Sequence, residues 1–263
     1  MAWADYVDID GVHTWFETVG KGEPLVLLHG GLETNAAWAG QLASLGENFR
    51  VLAPERRGHG HTPDVDGRLS YSVMADDTIA FIHAPAHLVG WSDGAIVGLL
   101  VVRRRPDLVR KLVLIGGNAD VTGYVPEWGQ VTQAPADSPL FEPFRAAYEA
   151  VSPDGPGHWP VVFAKAMDMW RTEPHIPLAD LGEIHARTLV LVGDDDVITL
   201  EHAVALYRAI PGAKRRIQDQ QQDKSDTGGT EDVPRPGATA VTAAMPAPVT
   251  QWRPRECCSG LYS

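Results

Sequence analysis

The sequence predicts an α/β protein, a doubly wound and mainly parallel sheet into which a small helical cap is inserted. Short apolar runs bounded by turn residues, such as PLVLLHG (24–30), alternate with stretches of helical periodicity. Runs of that kind suit parallel strands, which are covered on both faces and so lack the in–out alternation of half-exposed ones. Between about 119 and 180 the alternation gives way to a region rich in Pro, Gly and Trp, and it resumes at ARTLVLVGDDD (186–196). Strand–helix alternation with one interruption is the pattern of a layered α/β core carrying an insertion.

Taken in order, residues 12–19 (VHTWFETV) suit a strand and 20–22 a turn. PLVLLHG is a buried strand, and 35–46 has helical periodicity with Asn35 as candidate N-cap and Gly46 as its stop. RVLAPE (50–55) is the next strand and leads into the loop RRGHGHTPD. Residues 71–82 are helical, HLVGW (87–91) is a strand, 93–104 a helix and RKLVLI (110–115) a strand. Within the interruption two short amphipathic pieces stand out, 141–151 and 160–172. The strand in 186–196 is followed by a helix over 200–210, which Pro211-Gly212 ends. The expected organisation is therefore a core of 1–118 and 181–213, with 119–180 as the cap.

From 214 to 263 the character changes. The only branched aliphatics are Ile217, Val233, Val241, Val249 and Leu261, too few to bury a core. This segment is expected to be a disordered tail, and the sheet to lack its last strand and final helix, leaving an apolar edge.

The 263 residues are 44% hydrophobic and 21% charged, enough for one α/β domain with an insertion. A formal net charge of −12 argues against nucleic acid, whose phosphates require a basic face, and against an anionic membrane surface. No apolar run approaches the roughly 20 residues of a membrane span. MAWADYVDIDG has no basic-then-apolar leader, so a cytoplasmic location is expected. Cys257 and Cys258 are the only cysteines and stand side by side, which offers no disulfide framework. His59 and His61 form an H-x-H with no carboxylate or cysteine at ligand spacing. Neither a metal nor a cofactor is expected.

Chemistry gathers at Gly90-Trp91-Ser92-Asp93-Gly94. This is a G-x-S-x-G motif between a predicted strand and a predicted helix, the context that gives the motif meaning. A serine there is exposed on a sharp turn, and the helix N-terminus beneath it offers N–H groups to a developing oxyanion. His29-Gly30-Gly31-Leu32 follows the preceding buried strand. Its glycines allow close backbone approach, so the N–H of Gly31, or of Leu32, joins that of Asp93 as the expected oxyanion hole.

In their order, LLHGGLE, PERRGHGHT, LVGWSDGA and VLVGDDD resemble the α/β-hydrolase superfamily over residues 5–213. GWSDGA, with LVLIGGNADV on the following strand, is similar in particular to the valacyclovir hydrolase group of α-amino-acid ester hydrolases. The resemblance implies a serine hydrolase that acts on small carboxylic esters, α-amino-acid esters among them, through an acyl-enzyme. It makes Ser92 the nucleophile and places Asp93 against a substrate ammonium, with Trp91 beside it in substrate binding. It also places the acid three positions after the glycine that ends the later strand, which selects Asp196 after Gly193, with Asp194 and Asp195 as competitors.

The same resemblance calls for a histidine base after one further helix and strand. The chain has ten histidines, at 13, 29, 59, 61, 83, 87, 158, 175, 185 and 202, and none beyond. His202 lies on the helix after Asp196, while His29 and His59 lie in loops near the serine; none has the expected place. Two readings follow. One is a serine esterase; the other is a hydrolase fold of impaired turnover, whether a binding protein or a chain whose C-terminal part was exchanged by a shifted reading frame or a joining error.

Overall fold

The computed structural model describes residues 3–218. Strands β1 (Trp3–Ile9) and β2 (Val12–Val19) form an antiparallel hairpin. Asp10 and Gly11, both at positive φ, make its turn, the backbone that an Asp-Gly pair favours. Strands β3 (Glu23–Leu28), β4 (Phe49–Pro54), β5 (Ala86–Trp91), β6 (Val109–Ile115) and β7 (Arg187–Gly193) follow, and β3 to β7 pair in parallel. The sheet order is β1-β2-β4-β3-β5-β6-β7-β8, where β8 is Lys214–Gln218.

The centre of this sheet is dry. Leu25, Val26, Leu27 and Leu28 are each 0% exposed, and every residue of β5 is buried. One face packs on α1 (Ala39–Gly46) through Trp38, Leu42 and Leu45. The other packs on α2 (Tyr71–Phe81) and α3 (Asp93–Arg104). Ser70 caps α2 by accepting from the Val73 N–H at 3.2 Å, as residues of its type do at helix starts. The connection from α2 to β5 closes in four residues, 82–85.

The insertion between β6 and β7 forms the expected helical cap. It contains α4 (Trp128–Val131), α5 (Glu142–Val151) and α6 (Trp159–Thr172) joined by short 3-10 turns. Trp159, Phe163 and Phe141 pack together at its centre. Asp64, in the loop after β4, clamps the cap by accepting from His158 Nε2 at 2.8 Å and Lys165 Nζ at 2.7 Å.

The C-terminal boundary corrects the sequence reading. The sheet was expected to end with the strand before 214, yet β8 continues it, pairing in parallel with β7 from Leu189↔Lys214 to Gly193↔Gln218. Helix α7 (Leu200–Ala209) connects the two. β8 escaped the sequence reading because a ladder is made by the backbone, whereas KRRIQ carries no apolar alternation. Its residues are exposed apart from half-buried Gln218, and Ile217 is itself 46% exposed. Arg215 lies over the ring of Tyr207 on α7, its guanidinium carbon 5.5 Å from the ring centroid. The disorder and the missing final helix expected beyond this strand lie outside the described residues. Among the described residues no helix is long and apolar enough to cross a membrane.

Candidate active site

β5 ends at Trp91 and α3 begins at Asp93, so Ser92 makes the turn between them. Its backbone sits at φ 51° and ψ −118°, a conformation that costs a non-glycine residue about 1–3 kcal/mol. The surroundings impose it. The Ser92 N–H donates to Ile115 O at 2.8 Å, and Ser92 O accepts from the Ala95 N–H at 2.8 Å. A Cβ on Gly90 would lie 2.2 Å from Gly94 O, and one on Gly94 would lie 2.2 Å from Leu28 O. Only glycine permits β3, β5 and α3 to come this close.

Ser92 lines a cleft of about 550 Å3, counting its open mouth, together with Gly31, Trp91 and Asp196. The Asp93 N–H is the first of α3 and so has no acceptor within the helix. Gly31 lies beside it: a Cβ there would meet Asp93 Oδ2 at 2.3 Å and Trp170 Cζ2 at 2.5 Å. Gly31 and Ser92 thus line one cleft, and the Asp93 N–H begins the helix that follows the serine.

Asp196 stands three residues beyond the end of β7. Its Oδ2 accepts from the Gly193 N–H at 3.2 Å and its Oδ1 from the Ile198 N–H at 3.3 Å. Burial raises its pKa, the backbone N–H groups of Gly193, Ile198 and Val197 lower it, and the charge of Asp195 raises it. Asp194 and Asp195 are exposed. Of the three adjacent acids, Asp196 is the one the structure brings to the serine's cleft.

Asp93 keeps its carboxylate in the interior. The residue is 2% exposed. Its Oδ1 accepts from Tyr71 OH at 2.9 Å, and Trp170 Nε1 donates to Oδ1 at 3.2 Å and Oδ2 at 3.0 Å. Burial raises its pKa, while Arg56 and these two donors lower it. Arg56 is itself buried, with burial lowering its pKa to about 10 against the charges of Asp93, Tyr71 and Glu33. Its guanidinium donates to His29 O and, at 2.9 Å, to Gly30 O, which pins the glycine loop.

The histidines are engaged elsewhere, and among the described residues none lines the cleft. His29 Nδ1 lies 2.7 Å from Gly30 O, and its Nε2 accepts from the Arg56 N–H at 3.1 Å. Burial, with Arg56 and His59, pushes its pKa well down. His59 Nδ1 lies 2.9 Å from Arg57 O, and burial pushes its pKa to about 3. His61 stacks on Trp15 and binds Glu55 at 2.9 Å. His202 Nε2 accepts from the Ala119 N–H at 3.0 Å and its ring covers Gly123, so it ties α7 to the root of the cap. Among the described residues no three His, Cys, Asp or Glu side chains converge as a metal site.

Sequence reasoning missed Glu33, Trp128, Phe144 and Trp170, which also line the cleft. The last three come from the cap, whose docking onto the core no local pattern reveals. The model of the alpha/beta hydrolase family matches residues 25–227. The chain belongs to that family. The match runs past 214, where composition had placed the family's end.

The chain also matches pimeloyl-acyl-carrier-protein methyl ester esterase of Methylococcus capsulatus, 37% identical over 103 residues, or 39% of this chain and 40% of that protein. The mouse Serine hydrolase BPHL is 36% identical over 126 residues, 44% of this chain and 43% of that one. These two alignments span less than half of either relative. The human Serine hydrolase BPHL aligns over 242 residues at 26% identity, 81% of this chain and 78% of that one. Among solved structures, a meta-cleavage product hydrolase from Pseudomonas fluorescens superposes with a TM-score of 0.69 over 84% of this chain and 93% of its own, at 22% identity. That is a likeness of fold alone.

Proposed function

We propose that the cleft transfers the acyl group of small carboxylic esters to Ser92, in a chain whose turnover is impaired by the lack of a histidine base. The observation that carries this is the strained Ser92 turn, with Gly31 and Asp196 lining the same cleft. Ser92 Oγ attacks the ester carbonyl, and the oxyanion gathers between the Gly31 and Asp93 N–H groups. Collapse breaks the carbon–oxygen bond to the alcohol, and water carries the serine proton to the departing alkoxide. The acyl-Ser92 so formed then waits for hydrolysis, the step that most needs a base to activate water. A relative named as a methyl ester esterase, which aligns with 39% of this chain, agrees with this substrate class.

In a related triad enzyme, losing the base costs about 10⁶-fold in kcat, while oxyanion hole and binding together retain about 10³–10⁴ over water. A p-nitrophenyl acetate progress curve is therefore expected to show a steady rate near background. Mass spectrometry should find the acetyl group on Ser92, and added imidazole should raise the steady rate of the wild type but not of Ser92→Ala. Absence of an adduct, with ester analogues still bound, would favour the reading as a binding protein of hydrolase fold.

A further inference from the structure

The carboxylate of Asp93 has no part in that mechanism, yet three parts of the molecule meet on it. It stands in the first turn of α3, directly after Ser92. Tyr71, at the start of α2, donates its OH to Oδ1 at 2.9 Å. Trp170, near the end of α6 in the cap, donates Nε1 to Oδ1 at 3.2 Å and to Oδ2 at 3.0 Å. Hydrogen bonds to a charged acceptor are roughly twice as strong as neutral ones.

The indole so held is a wall of the serine's cleft. It lies close on the glycine loop, since a Cβ on Gly31 would come within 2.5 Å of Trp170 Cζ2. Further rings continue the wall: Trp128 is centred 5.2 Å from Trp170, and Tyr124 stacks on Trp128 at 4.8 Å. The end of α6 has other moorings. Arg171 Nη1 donates to Thr132 O at 2.6 Å, and the Glu173 carboxylate accepts from the Tyr71 N–H at 3.0 Å.

We infer that Asp93 is a positioning residue, which acts through Trp170 to hold the cleft wall against Gly31 and so limits the length of acyl chain that the cleft accepts. Because the helix is moored independently, what the carboxylate fixes is the rotamer of the indole. Once the alcohol has left, the acyl chain alone stays bonded to Ser92 and has to fit beside that wall. An indole tied at its N–H cannot swing aside for a longer chain. The tie stands on the geometry; that it selects among acyl chains rests on the serine-ester reading above.

Two measurements on the full chain test it. In the first, hydrogen exchange of the Trp170 indole N–H is followed by NMR in wild type, Asp93→Asn and Asp93→Ala, the signal being assigned by its loss in Trp170→Phe. Exchange should be about tenfold or more faster in Asp93→Ala than in wild type, and intermediate in Asp93→Asn, which keeps a carbonyl acceptor. The Trp159 indole, bonded to Ala136 O at 2.9 Å, is the internal control and should not change.

In the second, mass spectrometry follows acyl-Ser92 formation from p-nitrophenyl acetate and p-nitrophenyl hexanoate. Wild type should favour acetate. The hexanoate-to-acetate ratio should rise about tenfold in Asp93→Ala and in Trp170→Phe, and no further in the double variant, because both act on one contact. A merely structural Asp93 would slow both esters alike and leave the ratio where it was. Equal indole exchange in wild type and Asp93→Ala, a ratio that neither variant moves, or shifts that add in the double variant would overturn the inference. Trp170→Phe decides the ratio even if Asp93→Ala fails to fold. Adducts with an unmoved ratio remove this inference alone. No adduct, with indole exchange that depends on Asp93, removes the serine reading and its choice among acyl chains while the tie stands.

Discussion

The two walls of the cleft are built from opposite kinds of sheet. The wall of β3 and β5 is buried throughout its strands' upper halves, and its loops are bonded to one another through His29, Arg56 and the Gly94–Leu28 contact. The other wall is the loop after β7, on which Asp194 and Asp195 face water, and the strand beyond it, β8, is made of exposed residues. Strain needs the first kind of wall. The positive φ of Ser92 persists because every neighbour leaves it no alternative, whereas the second wall holds one carboxylate with backbone N–H groups and little else. In this chain the serine turn is over-determined, and the side on which Asp196 stands is sparse.

Three changes probe that contrast. The largest effect is expected at the crowded wall, where Gly94→Val would drive a side chain into Leu28 O. Far-ultraviolet circular dichroism should find no cooperative folded state, because a clash with backbone cannot relax as one with a flexible side chain can. A Gly94→Val protein that melts like wild type would break the comparison.

Next comes acid. His29 and His59 are buried neutral in the crowded wall, with pKa values held below the ordinary 6.5. Below about pH 6.5 the unfolded chain takes up protons that the folded one refuses, so stability falls as pH falls. The loss is about 1.4 kcal/mol per unit for each such histidine, continuing for His59 towards its folded pKa of about 3. Urea denaturation from pH 7 to 4.5 measures it, and a flat profile would contradict this burial.

The smallest effect belongs to the sparse wall. His202→Ala removes the acceptor for the Ala119 N–H and the ring over Gly123, and is expected to cost about 1–3 kcal/mol. The yield of acyl-Ser92 should not change, since His202 lies outside the cleft. A variant that loses acylation while remaining folded would make His202 more than a tie between α7 and the cap.

What could be read in the sequence follows the same division. β3, β5 and β7 announced themselves as apolar runs because both their faces are covered, and the Ser92 elbow was legible because its glycines are needed locally. Asp196 was separable from its two neighbours only through resemblance; the structure separates them by exposure. β1 was passed over although VDIDGV carries the Asp-Gly turn of a hairpin, since its exposed WADYVDI lacks a clear apolar face. β8 left no trace because its pairing is backbone and its side chains are charged. Glu33 and Arg56 were invisible for another reason: their meaning arises where loops 26 residues apart meet at Gly30, and spacing along the chain does not encode that meeting.

Lys214, Arg215 and Arg216 stand in succession on β8, the last strand in the sheet order among the described residues. An outermost strand offers its backbone to any other extended chain, and proteins commonly blunt such a rim with cations. Two copies of this molecule approaching rim to rim would bring basic side chains against basic side chains, and like charges set opposite each other resist strand pairing. The residues that hid β8 from a reading based on hydrophobicity thereby act as gatekeepers, discouraging the sheet from growing into a neighbour.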